Sequence, residues 1–285
     1  MDKQTKKPAA LQSFGREDDV LDRRPFTDDE VRYNLMHLNR DNPEALRLKA
    51  GDEKLIFTWS QGRNGWLWID ASLDRAERET RVRGLLDELD RRSVRLSGAT
   101  GQEDDMRFLM KEYAARQGLE ARENMGLEAY DCTDVRAPSG VEGAARAVRP
   151  DDAETVAEFL AGFVRDAFGM ERTADSFADD AAGMAASGNL FFWEVGGQPA
   201  AMANLAHASR RHRRMNEVYT PPACRKRGYA GALVSALCLR MLEEGITPML
   251  FADTANPDSN GVYRRVGFVS KGRLLDVRFH EPNAR

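Results

Sequence analysis

Cysteine is scarce: Cys132, Cys224 and Cys238 are the only three in 285 residues, an odd number at scattered positions. That excludes a disulfide framework and a cysteine-built zinc site, and it fits free thiols in a reducing cytoplasm. Histidine is equally sparse, and His37, His207, His212 and His280 show no ligand spacing, so no metal is expected. No apolar run is long enough to span a bilayer, and the lysine-bearing Met1–Ala10 stretch has no apolar signal region. Charge of one sign is not in excess either. A formal net charge of −4 gives no reason to expect nucleic acid or an anionic membrane as a partner. What is there, 42% hydrophobic and 31% charged residues, is the composition of an ordinary globular protein with one large or two modest domains.

Residues 1–25 are charge-rich and poor in apolar side chains, and are expected to form a mobile tail. Thr27-Asp28-Asp29-Glu30 has the form of a capping box and predicts a helix carrying Val31, Leu35 and Leu38. The runs Leu55–Trp59 and Trp66–Ile69 flank Gln61-Gly62-Arg63-Asn64-Gly65 and predict a hairpin. A helix capped by Ser72, a short strand over Val94–Leu96, a turn at Ser97–Gly101, a helix over 104–117 and a strand over 126–132 complete a domain spanning 26–137.

The Gly-, Pro- and Ser-rich run from Ala137 reads as a linker over 138–146, which opens a second domain over 147–285. Its first helix carries Val156, Phe159, Leu160, Phe163, Val164 and Ala167 on one face. A helix over 174–186, a hairpin over 190–208, a strand over 215–220 and a long helix ending at Gly245 follow. A buried strand over 249–252, a short helix over 259–266 and two strands within 268–279 end the domain. The two halves share an element order, which points to a tandem repeat of one α/β (α+β) fold.

The residues that suggest chemistry begin at Val218-Tyr219-Thr220. Pro221-Pro222 stops that strand, and Leu233, Leu237 and Met241 place a helix start near Gly228. Unpaired amides in the first turn, with Arg225, Lys226 and Arg227 beside them, make a seat for a diphosphate. The segment resembles the pyrophosphate-binding motif of the GCN5-related N-acetyltransferase (GNAT) family, Arg/Gln-x-x-Gly-x-Gly/Ala, through Arg225, Gly228 and Ala230. Downstream, Asn256-Pro257-Asp258-Ser259-Asn260, Tyr263 and Gly267-Phe268 resemble the later motif of the same family.

The resemblance implies two GNAT-like domains in tandem, each a mixed, mostly antiparallel twisted sheet flanked by helices. The first is a degenerate copy. Where its cofactor loop would fall it reads Ile69-Asp70-Ala71-Ser72-Leu73-Asp74-Arg75, which has no glycine and repels a diphosphate. In the second, the resemblance implies acetyl-CoA as co-substrate, bound by Val218, Tyr219, Thr220, Arg225, Lys226, Arg227, Gly228, Tyr229 and Ala230, and by Asn256, Ser259, Asn260 and Tyr263. Tyr263 is the expected acid for the departing thiolate. Glu217 is the best-placed base, since strand alternation puts it on one face with Tyr219; Asp253 is a weaker candidate. The Arg210–Arg214 run reads as a solvated turn. The expected activity is cytoplasmic acetyl transfer to a primary amine of a small molecule or peptide, by direct attack in a ternary complex, by a monomer or homodimer. A mycothiol-synthase-like or other tandem acyltransferase and a non-catalytic acyl-CoA sensor are the alternatives.

Overall fold

Residues 10–282 are described by a computed structural model, and their contacts divide the chain into two units. The first runs to Ala129 and takes in Asp253–Ala255 and the chain from Lys271; the second comprises Tyr130–Ala252 and Asn256–Ser270.

The first unit opens with strand β1 (Leu11–Ser13), helix α1 (Leu35–Asp41) and strands β2 (Leu46–Ala50), β3 (Leu55–Trp59) and β4 (Gly65–Ile69). Helix α2 (Arg75–Arg91), strand β5 (Gly98–Gly101), helix α3 (Glu103–Gln117) and strand β6 (Glu120–Asp131) follow. The expected β3–β4 hairpin forms because its β-branched and aromatic runs fit a buried pleat, with Leu55 opposite Ile69 and Phe57 opposite Leu67. Helix α2 starts at Asp74 rather than Ser72. The Asp74 carboxylate accepts the Glu77 amide at 2.9 Å and Glu77 accepts the Asp74 amide at 3.2 Å, a reciprocal cap that stabilises by about 1 kcal/mol. One face of the helix buries Val82, Leu85, Leu86 and Leu89.

Three expectations fail here for local reasons. The described part of the expected tail is ordered, because Leu11–Ser13 pairs with β2 and Val20 and Leu21 are buried; residues 1–9 lie outside the described residues. Thr27 opens no helix: Phe26–Asp28 is a 3-10 turn, and Asp29 binds Arg32 and accepts the Trp68 indole N–H at 2.8 Å. Gly98–Gly101 is not a turn but the fully buried strand β5, parallel to β4. Its small residues permit close packing, since a β-carbon on Gly101 would meet the Leu67 carbonyl at 2.7 Å.

The second unit contains strand β7 (Ala144–Ala147), helices α4 (Ala153–Phe168) and α5 (Ala178–Ala186), and strands β8 (Leu190–Val195), β9 (Gln198–Ala208) and β10 (His212–Tyr219). Helix α6 (Tyr229–Glu243), strand β11 (Thr247–Asp253), helix α7 (Pro257–Val266) and strand β12 (Val269–His280) complete the chain. Its strands are ordered β11-β10-β9-β8-β7. One face carries a core of Phe191, Ala203, Met215, Leu233, Leu237 and Val266, with α6 and α7; the other carries Phe159, Leu160, Phe192, Met202 and Tyr219, with α4 and α5. Each buried Val, Leu, Met or Phe side chain contributes about 1.5–3 kcal/mol by leaving water.

Strand β7 occupies the end of the expected linker, 138–146, and Arg213 and Arg214 lie inside β10, not in a turn. The two expected final strands are one strand of 12 residues. From Lys271 it belongs to the first unit, where Leu275–Arg278 pairs antiparallel with Gly98–Gly101. The order there is β1-β2-β3-β4-β5-β12-β6. Asp276, inside β12, accepts hydrogen bonds from Asn64, from the Thr100 hydroxyl at 2.9 Å and from Asn124 at 2.8 Å. The second domain expected over 147–285 therefore ends before its last strand does.

Candidate active site

Strand β10 runs parallel to β11, yet their registered pairing stops after His212 with Thr247, Arg213 with Pro248 and Arg214 with Met249. Beyond Arg214 the strands part, as amide-rich ligands require if they are to find free main-chain groups. The pairing of β10 with β9 is also irregular between Asn216 and Tyr219. There Glu217 adopts φ +52°, a left-handed conformation that costs a non-glycine residue about 1–2 kcal/mol. Strain of this kind persists only where surrounding structure holds it.

The irregularity resets the alternation of side chains. Met215 packs in the core beneath α6, whereas Tyr219 packs beneath α4, although strict alternation puts both on one face. Alternation alone therefore does not place Glu217. What places Glu217 is its charged surroundings, Arg214 and Asp180 of α5. Its side chain is half-buried, and Oε2 is buried with no hydrogen-bond partner. Burial holds the carboxyl above the usual carboxylate range; Arg214 opposes the shift and Asp180 adds to it.

Tyr219 is wedged edge-on against Phe159, ring centroids 5.7 Å apart, with its hydroxyl over Gly162 of α4. A lone glycine inside an otherwise helical run signals such a close approach, and sequence reading passed over it. Burial, with Asp166 adding, raises the Tyr219 phenol. The Thr220 hydroxyl is buried without a partner, and its carbonyl accepts Arg225 Nε at 3.0 Å. Val218 packs against the α6 face.

The loop after Pro221 enters α6 through two left-handed residues, Lys226 at φ +61° and Gly228 at φ +83°. Gly228 is the N-cap and offers no side chain, so among the described residues no side-chain acceptor caps the amides of the first turn, which Tyr229 and Ala230 begin. That end of the dipole favours an anion. Of the three basic residues, Arg225 turns away from it: the guanidinium pairs with Asp166 of α4. Lys226 and Arg227 remain exposed, with Arg227 beside the Tyr229 side chain.

Asn256 caps α7, its Oδ1 accepting the Ser259 amide at 3.0 Å. Asn260 is committed within the protein: its amide donates to the Asn256 carbonyl at 2.7 Å and its Oδ1 accepts the Tyr130 hydroxyl at 2.8 Å. That 5%-exposed side chain ties α7 to the end of β6. Ser259 is half-buried. Tyr263 is buried edge-on to Phe268 at 5.8 Å, and burial raises its phenol well above the ordinary value. No hydrogen bond reaches its hydroxyl among the described residues. Tyr263, Tyr229 and Val218 meet in one core cluster, which brings the ends of β10, α6 and α7 together. Asp253 lies outside this unit.

Among the described residues no group of three or more His, Cys, Asp or Glu could hold a metal ion, and no helix is long and apolar enough to cross a membrane. Residues 154–268 match the family model described as "Acetyltransferase (GNAT) family". A Drosophila protein of solved structure is similar with a TM-score of 0.64 at 14% identity, over 97% of this chain and 100% of that one. A GCN5-related N-acetyltransferase from Sphaerobacter thermophilus is similar with a TM-score of 0.56 at 17% identity, over 90% of this chain and 86% of that one. One from Kribbella flavida gives 0.55 at 16% identity, over 92% and 98%. At these identities the likeness is one of fold. No curated protein matches in sequence.

Proposed function

We propose that the second unit, whose residues 154–268 match the acetyltransferase (GNAT) family model, moves an acetyl group from acetyl-CoA to the primary amine of a small-molecule or peptide acceptor in the cytoplasm. The observation that carries this reading is the parting of β10 from β11 beside an α6 terminus that no side chain caps. The open edge of β10 from Val218 to Thr220 holds the amide-rich arm of the co-substrate, and the α6 amides with Lys226, Arg227 and Gly228 hold its diphosphate. Arg225 acts through Asp166, fixing the loop against α4. Asn256 has its amide nitrogen available for the same arm, since its cap uses Oδ1.

Transfer is a direct attack in a ternary complex. The acceptor nitrogen forms a bond to the thioester carbonyl carbon, and the carbon–sulfur bond breaks. Glu217, made more basic by burial, takes the ammonium proton directly or through a water. The Val218 amide faces the charge developing on the carbonyl oxygen. Tyr263, kept protonated by burial, gives its proton to the departing thiolate.

Calorimetric titration of acetyl-CoA into the wild type and into Lys226→Ala/Arg227→Ala tests the seat. Binding that collapses in the variant supports it and justifies a screen of amines by thiol release. A wild type that takes up no acetyl-CoA overturns the reading.

A further inference from the structure

The first unit carries an open cleft of ≈ 800 Å³, within the size range of small-molecule sites. It lies where the parallel strands β4 and β5 end, between Ile69 and Gln102. Ligands of α/β sheets gather at such strand ends.

Both helices that start there are capped by side chains and carry acidic residues in their first turns. Asp74 and Glu77 cap each other at the head of α2. At the head of α3, Gln102 Oε1 accepts the amides of Asp104 at 3.0 Å and Asp105 at 3.2 Å, and Glu103, Asp104 and Asp105 add negative charge. Both termini therefore disfavour a diphosphate.

Most wall charges are already matched. Arg78 binds Asp105 and the carbonyls of Ile69 and Asp70, and Arg32 binds Asp29. Arg83 lies 3.5 Å from Glu112 and stacks 4.8 Å over the Phe108 ring. Two groups are left over. Lys111 has no ion-pair partner among the described residues. Tyr33, 2% exposed, has a hydroxyl to which no hydrogen bond is made among them. Leu73 and Phe108 supply apolar wall.

We propose that this cleft binds a small organic carboxylate with a flat apolar body. Its charge pairs with Lys111 beside Arg83, its body lies on the Phe108 and Leu73 wall, and the Tyr33 hydroxyl donates to it. The inference is independent of the acetyl-transfer reading, because every residue it uses is in the first unit.

The test is calorimetric titration of the full chain with benzoate, and with benzamide as its neutral counterpart. Benzoate is expected to saturate one site, with benzamide about tenfold weaker or more. Lys111→Ala is expected to weaken benzoate about tenfold with an unchanged unfolding midpoint, since that side chain is exposed and makes no pair among the described residues. Tyr33→Phe weakens benzoate several-fold, and both variants keep the affinity of the wild type for acetyl-CoA, whatever that is. No saturable benzoate binding up to about 10 mM overturns the proposal. So does benzamide binding as tightly, or an affinity that Lys111→Ala leaves untouched.

Discussion

The hydroxyl of Tyr219 rests against Gly162 of α4, where an added β-carbon would lie 2.2 Å from the oxygen. The ring cannot swing clear, because Phe159 stands 5.7 Å from it on the same face. Gly162→Ala must therefore push α4 or the end of β10. The expected result is a loss of about 1–3 kcal/mol in chemical denaturation, with a raised KM for acetyl-CoA. In a Tyr219→Leu background the same change costs less, because the ring that is struck is gone. An alanine that costs nothing in either background refutes the contact.

Glu217 gives a pH signature. Its folded pKa is raised above the ordinary 4.5, chiefly by burial. Stability from the protonated carboxyl is complete below 4.5 and is lost as pH rises through the folded value. Glu217→Gln has no such loss, so the variant gains on the wild type as pH increases from 4.5. Parallel pH slopes in urea denaturation of the two proteins contradict this. Acetyl transfer by the variant is expected to fall about 100-fold and to lose the acid limb of its pH profile.

Tyr263→Phe removes a hydroxyl that makes no hydrogen bond among the described residues and leaves the edge-on packing against Phe268 intact. Stability is expected to stay within about 0.5 kcal/mol. The turnover number is expected to drop about 100-fold or more at unchanged acetyl-CoA affinity. A turnover equal to that of the wild type removes Tyr263 from the proton path.

Arg225 and Asp166 separate a pinning role from a direct charge. The pair is half-exposed, so breaking it costs at most about 1 kcal/mol. If Arg225 holds the loop to α4, Asp166→Asn and Arg225→Ala weaken acetyl-CoA binding alike. If Arg225 meets the diphosphate itself, Asp166→Asn frees it and binding holds or tightens. Calorimetry on the two variants decides.

Asp276 fastens the final strand. Asp276→Ala strips a buried acceptor from Asn64, Thr100 and Asn124 together and leaves Arg278, 3.2 Å away, without its partner. The expected cost is about 2–4 kcal/mol in urea denaturation. Asp276→Asn, which keeps an acceptor, restores part of it.

Much of the second unit was legible because its signals are local. The double proline, the basic loop, Gly228 and the Asn-Pro-x-Ser-Asn turn each announce their own backbone, and their elements lie where those residues put them. The left-handed Glu217 carries no such mark. Glycine or asparagine would have signalled it, whereas a glutamate in that conformation is imposed by packing on both sheet faces. Asn260 looked like a free amide because its partner, Tyr130, is far away in sequence. Strand β5 hid behind its glycines, which read as a turn until the closeness of Leu67 is known. Gly272, at φ +111°, split β12 into two apparent strands, and nothing in a periodic pattern says that Leu275–Arg278 pairs with Gly98–Gly101.

That pairing has a consequence for synthesis. Strands β1 to β5 leave the ribosome before any of the second unit, but the strand that lies beside β5 is translated after all of it. For that whole interval the flank of β5 waits for a partner not yet made, exposed to whatever extended segment passes by. The half of the protein that is born first is thus the half that must be finished last.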